Sequence, residues 1–212
     1  KPHEILEKKL SVFFNKKASL VFSSGYHANL AIASTLINKH TIIFQDKLNH
    51  ASLVDAALLS KGKLLRYRHS DLSHLKSLLE KYKHNDLIIM TDGVFSMDGD
   101  SAPLIEISKL CKTYHALLIV DDAHGIGVLG GGGRGLVEEL NLEKEVDLLI
   151  GTFGKSFGAT GAFITGSETI IEAFIQKART YIYTTALLPS VAAAVTHAID
   201  LINEGSDLRK HI

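Results

Sequence analysis

The stretch DLLIGTFGKSFGATGAF, Asp147–Phe163, contains the pattern that decides the fold. An apolar run leads into a glycine-rich turn, and a second apolar run follows with no room for a crossover helix. Two neighbouring strands joined in this way are antiparallel. The turn also carries one lysine, Lys155, at the carboxyl end of the first strand, and its role requires a chemical explanation.

A nucleotide-binding phosphate loop does not explain Lys155. The pattern G-x-x-x-x-G-K-[ST] requires glycine at 149, where this chain has Leu149, and the helix that follows such a loop is missing. A partly desolvated lysine at this place is a better nucleophile, because burial disfavours the ammonium form and leaves an amine able to form a Schiff base. The alternative is a surface lysine in a glycine turn.

Outward from this turn, short aliphatic runs alternate with amphipathic stretches. Such alternation predicts an α/β fold, a three-layer sandwich whose mainly parallel seven-stranded sheet is covered on both faces. The predicted strands are SLVF, TIIF, KLLRYR, DLIIM, ALLIVDD, DLLIGT and GAFIT. The predicted helices include YHANLAIASTLIN, HASLVDAALLS, SDLSHLKSLLEKY with Ser70 or Asp71 as N-cap, and PLIEISKLCKTY with Pro103 in its first turn.

Composition limits the class of protein. The 212 residues indicate one domain, and 23 basic residues balance 23 acidic ones, so neither nucleic acid nor a membrane surface is a predicted partner. The single cysteine, Cys111, excludes an internal disulfide, and the N-terminus lacks a signal-peptide pattern; both predict a cytoplasmic protein. Because the chain starts at Lys1 and stops directly after a helical pattern, we expect a piece of a longer protein.

In a parallel sheet, ligands bind at the carboxyl ends of the strands. After the first strand, SSGYHAN opens a helix whose free N–H groups around Gly25 and Tyr26 predict an anion site, typically for phosphate. Ser24 is alternatively no more than an N-cap. After the second strand, His50 either starts a helix or lies flat against an aromatic ligand.

The segment IVDDAHGIG places Asp121 and Asp122 at the end of a buried strand, with His124 close behind. A carboxylate there can hold a proton on a heterocyclic nitrogen. The alternatives are a cap for the following turn or half a metal site, but no H-E-x-x-H or C-x-x-C supplies further ligands. GIGVLG satisfies a dinucleotide-binding pattern, but four residues separate it from the strand and GGGRG cannot form the required helix.

Together, these segments resemble a known family. FSSGYHANLA, LNHASLVDAALLS, GVFSMDGDSAPL, VDDAHGIGVLG and TFGKSFGATGAF are similar to the α-oxoamine synthases, pyridoxal 5'-phosphate enzymes of the aspartate-aminotransferase fold. These enzymes condense an amino acid with an acyl-CoA and release CO2. The resemblance covers nearly the whole chain and implies that residues 1–212 form the large, cofactor-binding domain.

The resemblance implies specific roles for matching residues. Lys155 forms the Schiff base and later transfers the α-proton, Asp121 pairs with the pyridinium nitrogen, and His50 stacks on the ring. The phenolic oxygen is approached by Ser96 and His124, and the phosphate is held by Gly25, Tyr26 and Thr152. The family's active site forms in a homodimer, in which Thr184 and Thr185 reach the neighbour's phosphate.

Two segments distinguish between family members that use different substrates. HASLVDAALLS and RYRHSDLSHL are most similar to the biotin-pathway members, which join L-alanine to pimeloyl-CoA or a pimeloyl acyl carrier protein. The aminolevulinate synthases and glycine C-acetyltransferases have GIR where this chain has AAL at 56–58. Those two enzymes, serine palmitoyltransferase and an inactive scaffold homologue are the alternatives.

The chain also departs from the family. Leu188 and Ser190 stand where two prolines are common. The family's substrate-carboxylate arginine and its small C-terminal domain have no counterpart here. We therefore expect the chain as given to be inactive by itself.

Overall fold

A computed structural model describes residues 1–212 and contains seven strands and ten helices. The strands are β1 (Ala18–Phe22), β2 (Thr41–Asp46), β3 (Lys63–Tyr67), β4 (Asp86–Asp92), β5 (Leu117–Asp121), β6 (Leu148–Thr152) and β7 (Ala162–Gly166). The helices are α1 (Pro2–Phe13), α2 (Gly25–Thr35), α3 (Ala51–Leu58), α4 (Leu72–Tyr82), α5 (Leu104–Tyr114), α6 (Leu136–Glu139), α7 (Glu168–Lys177), α8 (Arg179–Ile182), α9 (Pro189–Glu204) and α10 (Ser206–His211). All seven predicted strands are confirmed.

The seven strands form one sheet in the order β1-β7-β6-β5-β4-β2-β3. Strands β2 to β6 pair in parallel, whereas β7 is antiparallel to both of its neighbours, β6 and β1. The prediction of an antiparallel pair around the lysine turn is therefore confirmed. Because β1 is antiparallel to β7, it points in the same direction as the other five strands.

Both faces of the sheet are covered, as the predicted three-layer sandwich requires. One core contains Leu87 and Ile89 of β4, with residues of α1, α4, α5 and α9. The other contains Ile88 and Met90 of the same strand, with residues of α2, α3 and α7. Successive side chains of a strand point to opposite faces, so an uninterrupted apolar run such as LIIM serves both cores.

The predicted helix starts are confirmed in two cases and wrong in one. Asp71 caps α4 by accepting a hydrogen bond from the His74 N–H at 2.8 Å, and Ser24 caps α2 through the His27 N–H at 3.2 Å. Pro103 occupies the N-cap position of α5 rather than its first turn, with ψ of 64°. The helix begins one residue later than predicted, at Leu104.

Because six strands point the same way, their carboxyl ends share one edge of the sheet. The polar segments that follow β1, β2, β4, β5 and β6 therefore lie along this edge. None of the ten helices combines the length and the apolar character that crossing a bilayer demands.

Candidate active site

Strand β5 ends at Asp121, a buried residue with 8% of its surface exposed. Its Oδ1 accepts a hydrogen bond from the Ala123 N–H at 3.2 Å, and its Oδ2 accepts one from the side-chain amide of Asn29 at 2.8 Å. Both oxygens are thus oriented by N–H donors. The sequence predicts Asp121 as a site residue, but it gives no role to Asn29.

A chain of hydrogen bonds leads from Asp121 to His50. The Asn29 amide also donates to Ser52 Oγ at 2.8 Å, and Ser52 Oγ lies 2.7 Å from His50 Nδ1. The Ser52 N–H donates to the same nitrogen at 3.2 Å. His50 is therefore the N-cap of α3, as one of its two sequence interpretations proposes, and its ring is fixed relative to Asp121.

The first residues of α2 lie beside the end of β6. A methyl group added to Gly25 would lie 3.9 Å from Thr152 Cβ and 4.0 Å from Thr152 Oγ1. The first intrahelical bond runs from the Ala28 N–H to the Ser24 carbonyl, so the N–H groups of Gly25 and Tyr26 precede it and point out of the helix. Two free N–H donors therefore lie beside the Thr152 hydroxyl, which itself donates to the Gly161 carbonyl at 3.1 Å. Free N–H groups at a helix start are typical of a phosphate site.

Lys155 lies in the turn between β6 and β7, and its residue surface is exposed. The expectation of a partly desolvated amine is therefore wrong for this structure. The physical reason is local: Gly154 and Ser156 on either side are also exposed and provide no apolar cover. Lys155 nevertheless lines a cleft of about 540 Å³ together with His124 and Phe157.

Electrostatics join the separate segments into one site. The pKa of His124 is lowered first by partial burial and then by the nearby Lys155 charge, with a smaller lowering from His50, whereas Asp121 opposes the shift. Charges interact strongly only over short distances in salt solution. His124, Lys155, His50 and Asp121 therefore lie close together. The arrangement brings together the residues for which the sequence predicts Schiff-base, ring-pairing and stacking roles.

Asp92 is a second buried carboxylate at this edge, and sequence reasoning does not find it. It ends β4 in register with Asp121, and its Oδ2 accepts a hydrogen bond from the His50 N–H at 2.7 Å. Burial and the neighbouring Asp121 carboxylate raise the pKa of Asp92 to about 7, although Lys155 opposes the shift. The sequence did contain a signal for Asp92, because this carboxylate ends the apolar run IIMTD just as Asp121 ends an apolar run in IVDD.

Asp122 faces the interior rather than the site. Its residue is fully buried, and its Oδ2 accepts a hydrogen bond from the Val137 N–H at 3.3 Å. Burial raises the pKa of Asp122 to about 7, and the backbone N–H groups of Val137 and Leu136 oppose the shift. The interpretation of a carboxylate that caps the following segment is thus correct for Asp122. Asp121 also accepts the Ala123 N–H, but its other oxygen is bound by Asn29.

Ser96 lies on an exposed loop after β4. The loop is closed at its base by the Val94–Ser101 bridge, and its anchor is His69, whose Nε2 bonds Asp100 at 2.9 Å and whose Nδ1 bonds buried Asp46 at 2.9 Å. No hydrogen bond joins Ser96 to the other site residues, so its approach to the cofactor stays a prediction.

Thr184 and Thr185 line a different cleft, of about 560 Å³, with His3, Glu7 and Ser23. This cleft lies between α1, the end of β1 and the segment before α9. Their predicted contact with a neighbouring subunit's phosphate stays a prediction.

Comparison with known proteins covers the same residues. Residues 2–212 match the family model for aminotransferase class I and II. An 8-amino-7-oxononanoate synthase from Marinobacter nauticus is 47% identical over 99% of this chain and 53% of its own length. One from Saccharophagus degradans is 49% identical over 94% of this chain and 51% of its own length. The chain thus spans about half the length of the curated relatives it matches.

Solved structures show the same fold. A serine palmitoyltransferase variant from S. paucimobilis with a bound PLP–myriocin aldimine superposes with a TM-score of 0.95 at 35% identity, over 99% of this chain and 53% of that one. An 8-amino-7-oxononanoate synthase from Francisella tularensis superposes with a TM-score of 0.87 at 40% identity, over 99% of this chain and 61% of that one. By family model, sequence identity and site geometry alike, the chain belongs to the aminotransferase class I and II family.

Proposed function

We propose that the protein uses pyridoxal 5'-phosphate to condense L-alanine with a pimeloyl thioester, releasing CoA or carrier protein and CO2 to give 8-amino-7-oxononanoate. One observation carries the proposal. Asp121, His50, Lys155 and the N-terminus of α2 meet at one edge of the sheet in a chain that is 47% identical to an enzyme of that name.

The donor set at this edge fits the cofactor. The N–H groups of Gly25 and Tyr26 with the Thr152 hydroxyl suit a phosphate group. The buried carboxylate of Asp121 suits a protonated ring nitrogen, and the amine of Lys155 suits an aldehyde. When bound, pyridoxal 5'-phosphate supplies an electron sink for the carbanion formed at the amino-acid α-carbon.

The chain's own residues hold the reactants and move protons. Asp121 would keep the proton on the ring nitrogen, because an adjacent carboxylate favours the charged form. Lys155 Nζ would hold the cofactor aldehyde and would take the proton from the amino-acid α-carbon. His50 would lie against the ring, and we expect Ser96 and His124 to contact the phenolic oxygen.

The lowered pKa of His124 has a consequence for this role. Partial burial and the Lys155 charge favour the uncharged imidazole at neutral pH. An uncharged ring can either donate or accept a hydrogen bond, so His124 is suited to an oxygen whose charge changes during the reaction.

Serine palmitoyltransferase activity is the second candidate, because the superposition with that enzyme has the higher TM-score, 0.95. The greater sequence identity to 8-amino-7-oxononanoate synthases, up to 49%, favours the pimeloyl substrate. The homodimer, the cytoplasmic location and the assignment of residues 1–212 as the large domain remain predictions.

A CoA-release assay on the full-length protein tests the proposal. Alanine, glycine and serine are each combined with pimeloyl-, succinyl-, acetyl- and palmitoyl-CoA, with and without pyridoxal phosphate. We expect the fastest release with alanine and pimeloyl-CoA, and only with the cofactor. Fastest release with serine and palmitoyl-CoA would support the second candidate. If the protein binds the cofactor but reacts with none of these pairs, pimeloyl carrier protein is tested as the acyl donor. Absence of reaction with that donor as well would indicate an inactive homologue.

A further inference from the structure

We propose that Asn29 and Ser52 are positioning residues, a buried relay that orients the Asp121 carboxylate and the His50 ring together. The inference rests on the proposed function, since it concerns the two groups that face the cofactor ring. Asn29 lies on α2, Ser52 on α3, and both are almost fully buried, with 1% and 2% of their surfaces exposed.

The orientation of the Asn29 amide follows from its partners. Its nitrogen lies 2.8 Å from Asp121 Oδ2 and 2.8 Å from Ser52 Oγ. A flipped amide would place Oδ1 against a carboxylate oxygen, two acceptors with no hydrogen between them. The NH2 group therefore faces both partners, and each of its two hydrogens has one acceptor.

The remaining donors are then determined. The Ser52 N–H can only donate, so His50 Nδ1 is an acceptor at 3.2 Å and carries no hydrogen. Because His50 Nδ1 carries no hydrogen, the Ser52 hydroxyl is the donor in the 2.7 Å contact between Ser52 Oγ and Nδ1, while its oxygen accepts from Asn29. The ring hydrogen of an uncharged His50 is thus assigned to Nε2.

The Asn29 amide is retained at a cost to the fold. Asn29 Oδ1 is buried without a hydrogen-bond partner, which destabilises the folded state. An apolar side chain at 29 would remove that oxygen and suit the core around Ala28 and Ile32, but it would leave Asp121 Oδ2 and Ser52 Oγ without their donor. The amide is explained by the two groups that it orients.

Gln45 offers a matched control. It is also a fully buried amide whose oxygen has no partner, and its Nε2 donates to the Leu53 carbonyl at 2.7 Å. Gln45 thus secures α3 without bonding Asp121, Ser52 or His50. Replacing Gln45 with leucine perturbs the fold in the same way while leaving the relay in place.

The test uses full-length protein loaded with pyridoxal phosphate labelled with 15N in the ring. The ring signal reports protonation without any turnover. In Asn29→Ala we expect it to move toward the unprotonated form, and kcat to fall about tenfold to a hundredfold, the loss seen when outer hydrogen-bond partners of metal ligands are removed. Gln45→Leu should leave the ring signal at its wild-type position.

Two further variants keep the test decisive if Asn29→Ala is unstable. Asn29→Leu keeps a side chain of similar size but removes the donor, so we expect the ring signal to shift in the same direction as in Asn29→Ala. Ser52→Ala removes one of the two donors to His50 Nδ1. In cofactor-free protein, the 15N signals of His50 should then show more of the Nδ1-protonated tautomer.

The outcomes separate the relay from the proposed function. If Asn29→Ala and Asn29→Leu bind cofactor and match Gln45→Leu in ring signal and kcat, the relay is overturned. It is equally overturned if the wild-type protein binds no pyridoxal phosphate. If the signals shift as expected but pimeloyl-CoA is not a substrate, the relay stands and the proposed reaction fails.

Discussion

Two glycine-rich segments lie at the carboxyl edge of the sheet, Gly125–Gly135 after β5 and Gly154–Gly161 after β6, and they use glycine for different reasons. In the first, a methyl group on Gly125 or Gly135 would lie 2.2 Å from a carboxylate oxygen of Asp122. In the second, a methyl group on Gly154 would meet nothing closer than 3.6 Å. The first segment encloses the buried carboxyl group of Asp122, whereas the second leaves Lys155 exposed.

The comparison teaches that similar composition can serve structure in one segment and chemistry in the other. Close packing around Asp122 leaves no space for a side chain, so the first segment is needed for folding. The lysine turn has space around Gly154, and Lys155 is an exposed residue. Under the proposed function, such freedom would suit a lysine that binds and releases the cofactor.

The largest expected effect tests the lysine turn. Lys155→Ala in the full-length protein removes the base and the covalent link, so we expect CoA release to fall at least about a thousandfold. Because Lys155 is exposed, the urea midpoint should stay unchanged. Lys144→Ala, an exposed lysine on the loop before β6, is the control and should retain full activity. Wild-type turnover in Lys155→Ala would show that the lysine turn has no chemical role.

The second prediction tests the packing around Asp122. Gly135 has φ of +90°, and its added methyl group would lie 2.2 Å from Asp122 Oδ2. We expect Gly135→Ala to lower the free energy of unfolding by about 3 kcal/mol, through backbone strain and displacement of a buried carboxylate. Gly154→Ala should change it by no more than about 0.5 kcal/mol. Urea unfolding of both variants measures the difference, and equal losses would contradict it.

The third prediction concerns pH. Because burial raises the pKa of Asp122 to about 7, the folded protein retains a proton that the unfolded chain, with a pKa near 3.8, releases. The stability from Asp122 is therefore complete below about pH 4 and is lost as pH rises toward 7, by up to about 1.4 kcal/mol per pH unit. Between pH 5 and 7.5, the free energy of unfolding measured with urea should change less with pH in Asp122→Asn than in the wild-type protein. Asp92 titrates in both proteins, so its contribution cancels in the comparison.

The smallest effect is expected where the two segments touch. A methyl group on Gly127, which has φ of +83°, would lie 2.3 Å from Ser156 Cβ, next to Lys155. Gly127→Ala should displace the lysine turn and lower kcat/KM about tenfold, since misplacement of a reacting group slows catalysis. Adding Ser156→Gly removes the contacted atoms and should restore part of the loss. Ser156→Gly alone is the control, and the absence of any rescue would show that strain at Gly127 acts without Ser156.

Much of the fold could be predicted because local patterns determine it. Short apolar runs, turn residues and helix caps identify every strand and the antiparallel pair around Lys155. The strand order could not be predicted, because it depends on contacts between distant segments. The exposure of Lys155 was also missed, since a one-dimensional pattern of glycines does not say whether neighbouring side chains cover the turn.

The sequence predicted the reactive groups of the site, but it did not predict the buried residues that hydrogen-bond to them. Asp121, His50 and Lys155 stand out because polar residues follow apolar strands. Asn29 and Ser52 lie inside helical stretches, where a polar residue looks like an ordinary exposed position. A signal for Asn29 existed, because it shares the apolar face of α2 with Ala28 and Ile32.

The place of β1 at the sheet edge, beside β7, has a consequence for biosynthesis. Ala18 of β1 pairs with Gly166 of β7, so β1, which precedes the other six strands in this sequence, must wait until β7 has been made before it acquires a sheet partner. Until then, SLVF is an apolar strand without a neighbour, and such species are prone to aggregation. A chaperone that shields nascent chains would be needed most during that interval, and a translational pause shortly before β7 would prolong the exposure.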